Sequence, residues 1–408
     1  MSVPVPQPMP TDEPVSRLLV PVLTFGVTIA ILSARALTVF LPLMAADLNT
    51  SVSVMGQVPA LMLLLSGLLA LVAGPLADRY GFRRTLVVGL ISVFLSAVAT
   101  GFSPNLPILL AVTLVGAVAR AAVLPTAQAV VVTTIGDEDA RRQAIGWVTL
   151  GISTAGLLGI PIMTSVAGLT SWRVSFFVMG AMALLAAVFV RRILRDDASS
   201  VTAPLSVRAL LDSYEPIRRH RPTALMMAAT LLADIGLWGA FTYFAALLVE
   251  RHGLTIDAVG WAFFAVSVLT VGGNVVAQGR AGKAPRPLLI GCRLVAALCV
   301  GLAFGLPLSW PVTLAFVLLA APTFSMADVA TTLVLTATSP AGRATTLTLR
   351  SAAVCFGTAL GGALGGLALA IGGYESVGAF ALVMLLLSTA VVWWSGAGRA
   401  PTPAPAAP

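Results

Sequence analysis

Histidine is nearly absent from this chain of 408 residues, which has two, and cysteine occurs three times. His220 and His252 lie in polar stretches outside the apolar runs, and no H-E-x-x-H helix occurs. No serine in an apolar run has a histidine to activate it, so an enzyme is not expected. Cys292, Cys299 and Cys355 all fall inside apolar runs and read as small core side chains, which indicates neither a disulfide framework nor a metal site. Charge is also scarce, at 10% of residues, where soluble proteins carry about 25%. With 58% apolar residues and a mean hydropathy of +0.99, an ordinary soluble domain is excluded and a polytopic membrane protein is indicated. The opening MSVPVPQPMPTDEPVS has neither a basic region nor a small-residue cleavage site, so residues 1–17 read as a disordered cytoplasmic tail rather than a signal peptide.

What the chain does contain is a succession of apolar runs. With about 20 residues per crossing, twelve spans are predicted, starting near residues 18, 54, 84, 106, 143, 172, 222, 257, 287, 311, 344 and 375. Connections are short except residues 191–221, where RRILRDD, a Ser/Thr/Pro patch and IRRHR read as a cytoplasmic linker. The expected domains are a six-helix bundle over 18–190, a second over 222–396 and a disordered cytoplasmic tail over 397–408. The net charge of +8 does not imply nucleic acid, because the arginines lie between apolar runs rather than along one polar face. Cytoplasmic loops retain Arg and Lys, and most of the basic residues fit both termini inside; on this count Arg293, near the start of the ninth run, belongs with the helix-end cations. Arg173 and Arg251 fall on the other side, and Arg35, Arg120 and Arg350 lie within spans. A faint repeat pairs Gly56 with Gly260, Phe40 with Phe244, Arg84 with Arg286 and Gly159 with Gly361, in order and on either side of the linker.

One polar stretch stands out. In GPLADRYGFRRTL, Gly74 and Gly81 allow a tight turn, Asp78 needs a cation or a helix N-terminus, and Arg79, Arg83 and Arg84 stand close by. The G-x-x-x-D-R-x-G spacing resembles the signature loop of the major facilitator superfamily at Gly74, Leu76, Asp78, Arg79, Gly81 and Arg83. The resemblance implies an all-α polytopic membrane protein with twelve transmembrane helices in two pseudo-symmetric six-helix bundles. It also makes the loop a candidate conformational latch, in which Asp78 meets the start of the eleventh span or Arg141 and Arg142 of the next loop. The second half keeps a copy, VVAQGRAGKAPRPLL, without the acid, which makes the latch one-sided.

Two further spans carry the resemblance. Arg120, in LVGAVARAAVLPTAQ, must face the bundle interior or water, since an arginine at mid-membrane costs at least about 2.5 kcal/mol; its placement resembles the fourth-helix motif beside the proton path. The fifth span, with Gly146, Gly151, Gly156, Gly159 and Pro161, predicts close helix packing and a bend. It resembles the superfamily's antiporter motif, and GLLGIP followed by Trp172-Arg173 is similar to the chloramphenicol and arabinose efflux branch.

Arg35, Arg120, Asp234 and Asp328 fall on the first, fourth, seventh and tenth spans, which in the superfamily line the central cavity. Counting from the span ends puts Arg120 and Asp234 near mid-depth, so Asp234 is the first candidate for the proton carrier, assisted by Arg120, and Asp328 the second. Asp328 can instead form a static pair with Arg350. Trp238 and Tyr243 follow Asp234 by one to three helical turns and are candidate substrate-cavity residues. The expected function is proton-coupled antiport exporting small amphipathic compounds that are neutral, zwitterionic or acidic, by alternating access; a proton symporter importing a small nutrient or sugar is the alternative. No cofactor or metal is expected beyond the proton gradient, and the expected partners are the substrate, protons and the bilayer of the cell's inner (plasma) membrane. A monomer is expected.

Overall fold

The computed structural model describes residues 18–194, 215–281, 284–340 and 343–396. The described residues are helical wherever they are regular, as a chain in hydrocarbon must be when each backbone N–H and C=O finds its partner within the segment. The membrane helices are α1 (Leu19–Val39), α2 (Gln57–Tyr80), α3 (Phe82–Phe102), α4 (Leu106–Thr134), α5 (Glu138–Leu169), α6 (Trp172–Ile193), α7 (Arg221–Phe241), α8 (Ile256–Ala281), α9 (Pro285–Gly305) and α10 (Trp310–Thr338). A final stretch, Arg343–Ser395, is broken at Gly372 and at Gly373, whose φ of 66° favours glycine. It therefore forms two arms, α11 (residues 343–371) and α12 (residues 374–395). Eleven helices in the described residues are long and apolar enough to cross a membrane, and this break makes the last of them a pair, as twelve spans require.

Local chemistry sets the ends. Asn105, Asp137 and Ser171 cap α4, α5 and α6, their side-chain oxygens accepting from Ile108 N, Ala140 N and Val174 N. Arginines close several C-termini: Arg173 donates to the carbonyls of Gly101 and Ser103 at the end of α3, Arg251 to Phe304 near the end of α9, and Arg286 to Trp393 at the end of α12. Cations at these ends also meet the negative pole of the helix dipole. That accounts for Arg173 and Arg251, the two cations the positive-inside pattern leaves over.

Two compact units result, Met1–Leu37 with Leu65–Ala203, and Thr38–Leu64 with Pro204–Pro408. In the first, α5 presses on α1 at Gly151, where a Cβ would stand 2.8 Å from the Thr24 carbonyl oxygen, and Thr24 Oγ1 donates to Trp147 O at 3.2 Å. Further along, α5 widens into a π-turn over Ala155–Gly159. Pro161, which has no N–H to return to the preceding turn, accounts for the widening. In the second unit the segment 38–64 packs on α7 and α11: a Cβ at Gly56 would stand 2.5 Å from Tyr243 Cζ, and Gln57 Nε2 donates to Ala363 O at 3.3 Å. The bounds 18–190 expected for the first bundle include residues 38–64.

Candidate functional site

The second unit holds a cluster of two carboxylates and two guanidinium groups drawn from four helices. Asp234 on α7 is 4% exposed, and the Trp238 side chain one turn further on lies beside its carboxylate. Its charged neighbours are Asp328 on α10, Arg350 on α11 and Arg293 on α9. Asp328 and Arg350 form a direct ion pair, as the static-pair alternative anticipated. Arg293 is 3% exposed, yet its direct partners are neutral: Nη1 donates to Ser388 Oγ at 2.9 Å and Nη2 to Thr331 Oγ1 at 3.0 Å. Both hydroxyls are oriented for this, because Ser388 gives its proton to Ala229 O and Thr331 gives its own to Ala327 O. Their lone pairs are thus left for the guanidinium.

Glycines bring α11 against α7 at this point. A Cβ at Gly357 would lie 2.7 Å from the Asp234 Cβ and 2.9 Å from Leu231 O, and one at Gly361 would lie 2.6 Å from Ile235 O. Asp234 is therefore buried by a backbone contact that larger residues would prevent.

The remaining sequence candidates fall elsewhere. Arg35 and Arg120 belong to the first unit, both half-buried and within electrostatic reach of each other. Trp238 is half-buried with its ring edge-on to Phe241, centroids 5.5 Å apart. Tyr243 has to be corrected from cavity lining to packing: it is fully buried, and its hydroxyl donates to Gly362 O at 2.7 Å. Gly151, Gly156 and Gly159 are buried where α5 is expected to pack, while a Cβ added at Gly146 would meet nothing within 4 Å among the described residues.

In the latch stretch the expected turn shrinks to one residue, Gly81, at φ 90°, because helix α2 continues through Tyr80. The Asp78 side chain lies outside the described residues, and Gly74 is described only as part of the α2 backbone. Arg79 is exposed over the Tyr80 ring, Arg83 is half-buried, Arg84 is exposed and Arg141 is half-buried.

The residue missed by sequence reasoning is Arg293. Placed among the helix-end cations, it instead lies eight residues into α9, about 12 Å along the axis at 1.5 Å per residue. The start of α9 at Pro285, a residue favoured in a helix's first turn, was the signal that could have shown this.

Other polar contacts gather at the two ends of the second unit. At the linker end Glu215 accepts from Arg218 at 2.9 Å and Arg219 at 2.7 Å, and these bonds hold its carboxyl below the usual range. At the opposite end Arg251 pairs with Glu375 at 3.1 Å and Tyr374 donates to Glu250 at 2.7 Å. His252 beside them has its pKa lowered by burial and then by the Arg251 charge. The first unit has a cavity of about 810 Å³ between α1 and α5, with an apolar lining that includes Phe25, Trp147, Leu158 and Ile162.

Eleven apolar helices in the described residues, the last of them a broken pair, with buried ionisable side chains on several of them, are the features of a polytopic membrane transport protein. The sequence pattern of the Major Facilitator Superfamily matches residues 23–335, and the chain belongs to that family. It is 24% identical over 335 residues to an uncharacterized transporter of this type, YceJ of Bacillus subtilis (strain 168), covering 81% of this chain and 84% of the relative. It is 28% identical over 180 residues to Multidrug resistance protein 2 of the same organism, 44% of each chain. A solved bacterial homolog of the human lysosomal transporter Spinster, in an inward-facing and occupied conformation, superposes with a TM-score of 0.75 at 17% identity, over 94% of this chain and 97% of that one. The nucleoside transporter NupG gives 0.75 at 13% identity, over 92% and 98%. These two likenesses establish the fold.

Proposed function

We propose that the protein is a proton-coupled antiporter that exports small amphipathic compounds by alternating access, inserted in the plasma membrane with both tails in the cytoplasm. The observation that carries the reading is Asp234, a buried carboxylate within reach of a second carboxylate and two guanidinium groups. Among the described residues Asp234 makes no ion pair, and a carboxylate shut from water without one is stabilised by carrying a proton. Substrate entry or helix movement that wets the site releases that proton. The apolar cavity beside α5 has the size of a small-molecule site, and relatives named for multidrug resistance or efflux agree with export.

Everted membrane vesicles carrying a tag on either tail test the proposal in one preparation. Uptake of an amphipathic dye is expected to rise when the vesicle interior is acidified, and added protease is expected to remove both tags. Dye movement indifferent to the pH gradient would remove the proton coupling.

The latch reading of Asp78 belongs to the same proposal. Asp78→Asn is expected to lower the transport rate by about tenfold, a loss of about 1.4 kcal/mol of contact energy, without lowering the amount of inserted protein. An unchanged rate would return the stretch to a topology signal.

A further inference from the structure

Among the described residues Arg293 is a buried cation with no carboxylate bonded to it. Its two terminal nitrogens lie on hydroxyls, and its Nε has no partner among the described residues. A guanidinium in that position carries a large desolvation cost unless an anion stands near. Two carboxyl groups do, but Asp328 already holds Arg350, which leaves Asp234 as the group within the cluster that becomes the counter-charge to Arg293 on losing its proton. The hydroxyl cradle thus keeps Arg293 close to Asp234 without joining the two.

We propose that Arg293 is the positioning residue of the coupling site: it rests on Ser388 and Thr331 while Asp234 holds a proton, and moves onto the Asp234 carboxylate when the proton leaves. The inference rests on the reading of Asp234 as the proton carrier. Because Ser388 also bonds Ala229 O on α7, departure of the guanidinium frees a lone pair in a contact that joins α12 to α7. Loss of one proton is in this way converted into a change at a helix contact. The charged groups facing Asp234 are Arg293 from α9, Asp328 from α10 and Arg350 from α11; α12 contributes Ser388, which does not titrate.

The test is an infrared titration of the full-length protein in lipid nanodiscs, following the carboxylic-acid C=O band that disappears in Asp234→Asn. In Arg293→Gln the midpoint of that band is expected to rise by about one pH unit or more, tenfold in proton concentration, because the carboxylate loses its counter-charge. Arg293→Lys, which keeps the charge, is expected to move it by less than half as much. Thr331→Val combined with Ser388→Ala is expected to lower the midpoint, since the guanidinium then has no neutral resting place. It carries the test if Arg293→Gln fails to insert. A merely structural arginine would reduce the yield of protein and leave the midpoint in place. A band that titrates normally but does not move in any of these variants overturns the assignment of Arg293 alone. A wild-type protein with no Asp234 band between about pH 4 and 10 overturns the proton-carrier reading and this inference with it.

Discussion

Asp234→Asn is expected to abolish gradient-driven accumulation while leaving the protein inserted and folded. The size of the effect follows from the driving force. One pH unit is worth about 1.4 kcal/mol per proton, so a gradient of two units can support a roughly hundredfold substrate ratio at one proton per cycle. A carrier that never takes up the proton gains nothing from the gradient, and the ratio should fall to about one. The amide retains the shape that α11 packs against at Gly357, so insertion and yield should be close to wild type. Asp328→Asn gives a contrast, because it breaks the ion pair with Arg350 and leaves a cation without its partner. Its loss of accumulation should come with a loss of stability. Transport measured in proteoliposomes under an imposed gradient distinguishes the cases, and full accumulation by both variants would sink the mechanism.

Gly361→Val should prevent the second unit from packing correctly. The first atom of the new side chain would lie 2.6 Å from Ile235 O and 2.9 Å from Gly239 N, both backbone atoms of α7. Neither can move aside as a side-chain tip can, so α11 would have to shift outward. Overpacking of this kind costs about 1–3 kcal/mol and at times more, and the upper end applies here because the same crossing buries Asp234 four residues away. The expected result is a clear drop in the thermal unfolding midpoint in detergent and a low yield. Gly272→Ala is the control, since a Cβ there meets nothing within 4 Å, and its midpoint should match wild type. Equal midpoints for both variants would mean that α7 and α11 do not touch at Gly361.

Much of the architecture was legible because the bilayer leaves few choices. A run of about 20 apolar residues that must satisfy its own backbone becomes a helix, and the expected starts at 106, 172, 222, 257 and 311 lie within a residue of those observed. The stretch from Gly74 to Leu86 likewise resembles the family's signature loop residue by residue, so the family was legible there. It was less informative about its own shape, since the turn expected there is a single glycine between two helices.

The site was only partly legible, and Arg293 shows why. The spans, the resemblance to the family and the intramembrane charges Asp234, Asp328 and Arg350 were legible in the sequence, because a charge within an apolar run is conspicuous without coordinates. Whether such a charge is paired, and by what, depends on the direction each side chain takes from its helix and on partners far along the chain. Arg293 meets Thr331 and Ser388 at separations of 38 and 95 residues, and Tyr243 finds its carbonyl 119 residues away. Tertiary packing alone decided that Arg293 is a buried member of the cluster, that Tyr243 is a packing residue, and that Asp234 lies beneath a glycine of α11. Hydropathy is summed along the chain, whereas a hydrogen bond is directional and is made across it.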